Sequence, residues 1–302
     1  MTVMKSFAVG HGDMFYIRHN SDNFTIIDCF MDDYSQEELV GELKRESKGK
    51  GMRRFISTHP DEDHIKGIGY LDEQFPINNF YCVADDAVKD EASEAFEHYC
   101  KLRDDPKKAY HVFQGCKRKW LNQSDEERGG AGISFLWPGT SNEHYKAALA
   151  NASAGIAFNN ISLVARYNMG AGAASFMWIG DLETDFMESI VDNISLQKTT
   201  VVFAPHHGRE SGKIPDSWLE KLDPQIIVIG EAPSRYLHYY TGYKTIAQNR
   251  AGDITMDATE NKVHLYVSNE EYGTRFDDFE NEHKDDFEHY IGSLTVETEY
   301  TL

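Results

Sequence analysis

Six consecutive residues, His59-Pro60-Asp61-Glu62-Asp63-His64, follow the strand-like run Arg54-Phe55-Ile56-Ser57-Thr58 and offer four side chains able to ligate a divalent cation: His59, Asp61, Asp63 and His64. Imidazole mixed with carboxylate is the usual donor set for hydrolytic zinc or manganese, and a turn at a strand end can converge such closely spaced donors on one or two ions. The competing reading is a polar loop in which Asp61 or Asp63 caps a helix starting near His64; capping and ligation are compatible. Two further features have the same form. The apolar run 175–179 ends in Gly180-Asp181, where Asp181 taken alone would be an ordinary helix N-cap. The run 200–203 leads to Pro205-His206-His207-Gly208, whose glycine permits close backbone approach beside paired imidazoles. A lone histidine is usually structural, but three such features at successive strand ends are hard to ascribe to chance.

The elements that must position these residues are legible in outline. Strands are predicted at 3–7 and 14–18, flanking Gly10-His11-Gly12-Asp13, and at 24–28, ending on Asp28. Ser35-Gln36-Glu37-Glu38 reads as a helix N-cap and first turn leading through Leu39, Val40 and Leu43. Strand patterns return at 133–136, 161–164, 175–179, 200–203 and 225–230, with a helix over 183–191. The candidate ligands therefore sit where α/β proteins place their ligand sites, at strand ends. Residues 85–130 are polar and mainly helical in pattern and read as an insertion or lid. From about residue 270 the chain is acidic, through Asp277-Asp278 and Asp285-Asp286, before a strand-like ending at 294–300. One domain over residues 1–302 is expected, carrying the insertion and the acidic segment about 270–302.

With 302 residues and 40% hydrophobic composition, the chain can bury a sizeable core. The four cysteines, Cys29, Cys82, Cys100 and Cys116, are scattered, which argues against a disulfide framework and a thiolate zinc site. No apolar run approaches the roughly 18 residues of a membrane span, and the N-terminus lacks a signal-peptide stretch, so a cytoplasmic protein without membrane partners is expected. Fifty acidic against thirty basic residues give a net charge of −20, which disfavours general nucleic-acid coating. A nuclease is still allowed, because bound dications and a few cations can line one cleft. The basic runs 48–54 and Lys117-Arg118-Lys119-Trp120 are candidates for that role, or simply solvated loops.

Taken in order, these motifs resemble the metallo-β-lactamase superfamily, specifically the hydrolase domain of the competence DNA-uptake protein ComEC and its stand-alone relatives. Val9-Gly10-His11-Gly12-Asp13 is similar to a V-G-x-G-D opening, Ile27-Asp28 to I-D, and residues 57–67 to T-H-P-D-x-D-H-I-x-G. Residues 160–164 are similar to N-x-S-L-V, residues 179–183 to T-G-D-x-E, and residues 205–208 to P-H-H-G. The resemblance implies an α/β protein, an αβ/βα four-layer sandwich, with two divalent ions in the cleft between its sheets. It implies that His59 and Asp61 hold one ion, Asp63 and His64 the other, that Asp181 bridges them, and that one of His206 and His207, preferably His206, completes the ligand set of the second ion. His238 stands where relatives often carry a last active-site histidine, as a ligand or proton donor; a structural role is the alternative. The chain departs from the commoner H-x-H-x-D-H pattern at Asp61, and the separate histidine that usually precedes the bridging aspartate is not evident, so one metal position is oxygen-rich and short of ligands. Arg209 replaces the usual serine after H-H-G; it could grip a phosphate or be an ordinary surface arginine.

The expected activity is hydrolysis through metal-activated hydroxide, with Asp63 or Asp181 positioning the water and His238 acting as general acid. The oxygen-rich position favours manganese over zinc. A phosphodiesterase or nuclease acting on DNA or RNA is the leading expectation, with single strands guided by Lys117, Arg118, Lys119 and Arg209 and stacked on Trp120 or Tyr236. The alternatives are a hydrolase of small phosphodiesters, esters or lactones, and an effector subunit held by a protein partner through the acidic surface.

Overall fold

The first strands of the chain pair because their apolar residues are buried on both faces. In the computed structural model, which describes residues 1–232, 235, 237–273, 276–282, 284 and 286–297, β1 (Thr2–Ser6), β2 (Met14–Arg18) and β3 (Asn23–Cys29) form an antiparallel meander. Parallel strands then extend it: β4 (Met52–Ile56), β5 (Phe80–Cys82) and β6 (Ala109–His111). The connections are helical, as parallel pairing requires. Helix α1 (Gln36–Glu46) joins β3 to β4, α2 (Glu62–Ile65) and α3 (Ile68–Gln74) join β4 to β5, and α4 (Glu94–Arg103) joins β5 to β6.

A second, six-stranded sheet contains β7 (Ile133–Trp137), β8 (Val164–Asn168), β9 (Ser175–Trp178), β10 (Val201–Phe203), β11 (Ile226–Ile229) and β12 (Thr245–Ala247), with α5 (Glu143–Ser153) between β7 and β8. Helices α6 (Thr184–Ser189) and α7 (Asp216–Leu222) make the crossovers from β9 to β10 and from β10 to β11, and α8 (Gln248–Ala251) follows β12. The chain then returns to the first sheet as β13 (Ile254–Ala258), β14 (Lys262–Val267) and β15 (His289–Thr295), giving the order β15-β14-β13-β1-β2-β3-β4-β5-β6. The sheets face each other across an aromatic core in which the Phe15 ring lies 6.1 Å from Trp178 and 4.9 Å from Phe203. Helices α3 and α4 touch on one outer side, and α6 and α7 on the other. Among the described residues no helix is long and apolar enough to cross a membrane.

Several expectations need correction. Residues 85–130 contain one helix, α4, and one strand, β6, rather than a mainly helical lid. Buried Phe96, Tyr99 and Leu102 pin α4 to the sheet, and β6 forms its edge. At 161–164 the chain makes a tight turn, Asn159–Ile161, before β8. Ser35 makes no side-chain cap; Asp32 Oδ1 instead accepts from the amides of Tyr34 and Ser35 and from the Ser35 hydroxyl. The C-terminal strand begins earlier than expected, at His289, and positions 298–302 lie outside the described residues. Strand β13 is not among the expected strands; Ile254, Met256 and Ala258 alternate with Thr255 and Asp257 as a strand does, and both faces are buried.

Candidate metal centre

The carboxyl ends of β3, β4, β9 and β10 meet at one edge of the two sheets, and each delivers polar residues there. Strand β3 ends on Asp28, fully buried and held at φ 54°. Its Oδ1 accepts from the Thr58 amide at 2.7 Å, and its Oδ2 accepts from the Thr58 hydroxyl at 2.6 Å and from His64 Nδ1 at 2.9 Å. Since the Thr58 proton goes to Asp28, Thr58 Oγ1 is free to accept from His59 Nδ1, 3.2 Å away. One buried carboxylate thus orients two imidazoles, and each turns its Nε2 toward the cleft.

Strand β9 ends at Gly180, where φ is +62° and a side chain would meet Ser162 at 2.8 Å. This turn buries Asp181, whose amide donates to Ser162 Oγ at 3.0 Å. His206 N donates to Gly180 O at 3.0 Å, which ties the end of β10 to that of β9. His206 and His207 both adopt left-handed backbone, at φ 52° and 54°, a conformation costing a side-chain-bearing residue roughly 1–2 kcal/mol. Of the five non-glycine residues with positive φ among those described, three (Asp28, His206 and His207) belong to this edge, and such strain concentrates at functional sites.

Four residues converge most tightly. One ligand atom each from Asp13, His64, Asp181 and His207 lie within 4.8 Å of one another. His64 Nε2 is 3.1 Å from Asp181 Oδ1. His207 Nδ1 is 3.0 Å from Asp13 Oδ1, and its Nε2 is 3.2 Å from Asp63 Oδ2. His59 Nε2 lies 3.5 Å from Asp61 Oδ2 and 3.9 Å from Asp181 Oδ2, and His206 Nε2 lies 3.7 Å from the same Asp181 oxygen.

These groups fit a divalent cation. His59 Nε2 is buried with no hydrogen-bond partner among the described residues, and the buried His64 Nε2 and Asp181 Oδ1 have only each other, at 3.1 Å, a costly arrangement unless they bind something else. Their charge state agrees. Burial would lower the pKa of His64, but Asp181 and Asp28 hold it well above 6.5. Burial likewise opposes the charge on His207, yet Asp13 and Asp181 push its pKa up to about 10. Burial would raise Asp63, but the His207 hydrogen bond and the His64 charge bring it down to about 2, and Asp181 is held well below 3.8 by His64 and His207 against its burial. Protons on imidazole thus balance buried carboxylates, and a metal ion would displace them.

The outer positions differ. Burial, together with the His207 and Arg209 charges, lowers the His206 pKa. Its Nδ1 is 2.8 Å from Ser211 Oγ, and Arg209 reaches to 3.4 Å from its Nε2, so a neutral His206 and an arginine stand at the rim. His238 is not brought to the cluster: it is exposed and lines a separate cavity with Arg235, Arg250 and Tyr272.

Lys117, Arg118 and Lys119 are also not brought to the site. The Trp120 carbonyl accepts from Arg54, which also donates to Asn23 and Thr25 at the start of β3. This loop therefore stands at the opposite end of the strands, roughly 15 Å away at about 3.3 Å per residue. Arg118 stacks on Tyr110, Lys119 pairs with Asp125, and the Trp120 ring is already engaged by Lys119 and Arg128. Tyr236 lies outside the described residues.

The sequence pattern assigns no role to Asp13 or Asp28. Asp28 ends an apolar strand as Asp181 does, and that likeness is the signal that could have marked it. Asp13 is placed by Gly12, whose absent side chain lets the loop approach the Asp63 carbonyl; a Cβ would stand 2.4 Å from that oxygen.

Residues 8–108 match the family model of the metallo-beta-lactamase superfamily, a segment that includes Asp13, Asp28 and the run from His59 to His64. With the two facing sheets and their outer helices, this match identifies the metallo-β-lactamase fold. Among solved structures, the chain is similar to a candidate Zn-dependent hydrolase of that superfamily from Thermotoga maritima, at 11% identity over 78% of each chain and a TM-score of 0.30. No curated protein matches the chain.

Proposed function

We propose that this chain is a divalent-metal-dependent hydrolase of phosphodiesters, with nucleic acid, single-stranded in preference to duplex, as its substrate. The observation that carries this reading is the placement of Arg209 at the rim of a buried histidine–carboxylate cluster, 3.4 Å from His206. A guanidinium matches a phosphodiester's paired oxygens in geometry and charge, whereas a neutral ester or lactone gives it no partner. Asp63, His64, Asp181 and His207, with Asp13 behind His207, would hold the metal. When bound, a dication lowers the pKa of water and polarises the phosphoryl group. The residues around it do the rest: Asp28 fixes the His59 and His64 tautomers, Arg209 aligns the anionic substrate, and Asp63 orients the attacking water.

The net charge of −20 limits how many phosphates the protein can engage at once, which favours a short single strand over a duplex. The ComEC-like motif order supports a nucleic-acid substrate. With Lys117–Lys119 remote from the cluster, Arg209 is the cation through which the strand is held. The test is an assay of manganese- or zinc-loaded protein on single-stranded DNA, RNA, cyclic dinucleotides, a bis-aryl phosphodiester, and an aryl ester and lactone. Hydrolysis of the phosphodiesters, with Arg209→Ala raising KM for them, is expected. Turnover confined to the ester or lactone would overturn the reading.

A further inference from the structure

A lysine from the segment 85–130 reaches the turn that carries Asp61. Lys89 Nζ lies 3.0 Å from the Pro60 carbonyl, 3.3 Å from Asp61 Oδ1 and 3.8 Å from Glu62 Oε1. The ammonium also stands 4.9 Å from the ring centres of both Phe96 and Phe158, and the side chain is only 15% exposed. Two aromatic faces, a carbonyl and a carboxylate define its position from separate directions, unlike a solvated surface lysine.

Asp61 is therefore shared. One of its oxygens meets Lys89, and the other faces His59 Nε2 at 3.5 Å. His59 and Asp61 are the residues that the resemblance assigned to one of two metal ions, at the position short of ligands. Neither belongs to the group of Asp13, His64, Asp181 and His207, whose ligand atoms lie within 4.8 Å of one another, whereas Asp63, also outside it, joins it through His207 Nε2 at 3.2 Å. A divalent ion between His59 and Asp61 would meet an ammonium already seated on its carboxylate ligand, and like charges at such range oppose each other.

We infer that Lys89 supplies the positive charge at the His59–Asp61 position, so that each chain holds one divalent ion firmly, at Asp63, His64, Asp181 and His207, rather than two. This rests on the metal-dependent hydrolase reading above and sets its stoichiometry. Lys89 acts through Asp61 as a positioning residue: it keeps Asp61 engaged and leaves His59 Nε2 toward the substrate side of the centre.

The test is metal content and affinity of the full-length protein, by elemental analysis after dialysis and by titration calorimetry with manganese and with zinc. Wild type is expected to retain one ion per chain. K89Q, which keeps the length and removes the charge, should take up a second ion at least 10-fold more tightly than wild type does, and K89R should stay at one. Circular dichroism establishes that the variants fold. If K89Q does not, D61N decides: it should keep the single firm ion, and its loss would overturn the inference. Two ions of comparable affinity in wild type, or a K89Q protein that stays at one, would overturn it while leaving the hydrolase reading intact. A wild-type chain that binds no ion would overturn both.

Discussion

Asp28 Oδ2 lies 2.9 Å from His64 Nδ1, both side chains being fully buried, and this contact leaves His64 Nε2 facing Asp181 Oδ1 at 3.1 Å. Asp28 itself is too far behind the imidazole to be a ligand. Its work is to set the tautomer of a residue that can be one, directly for His64 and through Thr58 for His59.

Asp28→Ala should weaken metal binding by about 10–100-fold, the usual effect of losing such a partner. It should also destabilise the fold by a few kcal/mol, at roughly 1–3 kcal/mol for each of the Thr58 donors left unpaired. Asp28→Asn, which keeps an acceptor for Thr58, should recover part of the stability and less of the affinity. Calorimetric titration with manganese beside thermal melts of both variants would check this; unchanged affinity in Asp28→Ala would refute the orienting role.

Asp181 approaches His59, His64, His206 and His207 at once, within 3.9 Å in each case. Asp181→Ala should therefore abolish turnover and metal retention more completely than His206→Ala, because His206 sits at the rim. Steady-state rates and metal content measured in parallel decide it.

Chelation should lower thermal stability, since an ion bound only by the folded chain stabilises it by about 2.7 kcal/mol when present at roughly 100 times its Kd. Carboxylates from Asp63, Asp181 and the nearby Asp13 make the centre oxygen-rich, which shifts preference toward manganese. Manganese is expected to support faster turnover than zinc and to restore the melting temperature after EDTA treatment. Full activity with zinc, unaltered by added manganese, would contradict the preference.

Gly12→Ala tests how the Asp13 loop is held. The added Cβ would stand 2.3 Å from Phe30 Cγ and 2.4 Å from the Asp63 carbonyl, so loop and turn must part. A loss of about 1–3 kcal/mol in stability is expected from overpacking, together with weaker metal binding. A structure of the variant with Asp13 still 3.0 Å from His207 would show the close approach to be dispensable.

His19 is fully buried, with Nε2 2.9 Å from Thr25 Oγ1, and burial together with the Arg54 and Lys50 charges holds its pKa well below 6.5. The folded chain therefore keeps it neutral while the unfolded chain protonates it near pH 6.5. Above that pH neither state gains a proton; below it only the unfolded state does, so stability falls on acidification, by up to about 1.4 kcal/mol per pH unit. His19→Gln should have a shallower loss between pH 6.5 and 5 in urea unfolding. Parallel curves for the two proteins would exclude the effect.

What the sequence by itself determined is what local patterning can carry. His59, Asp61, Asp63, His64, Asp181 and the His206-His207 pair are legible because each follows an apolar run at a turn, and the chain's own periodicity announces strand ends. The short apolar runs of β1–β3, buried on both faces, and those of β10 and β11 announce their strands in the same way. The tertiary structure decided what depends on which strand ends become neighbours. It set Asp13 against His207 across 194 positions of chain, and Asp28 behind His64. It brought Lys89 onto Asp61 from a segment that reads as a detached lid, and carried Lys117–Lys119 to the far end of the strands although the same segment supplies both. It also gave His207 the inner position and His206 the rim, through two successive left-handed residues. The reason is physical: strand and turn preferences act over a few residues, while convergence of charge on one cleft is fixed by sheet order and burial, which no short window of sequence contains.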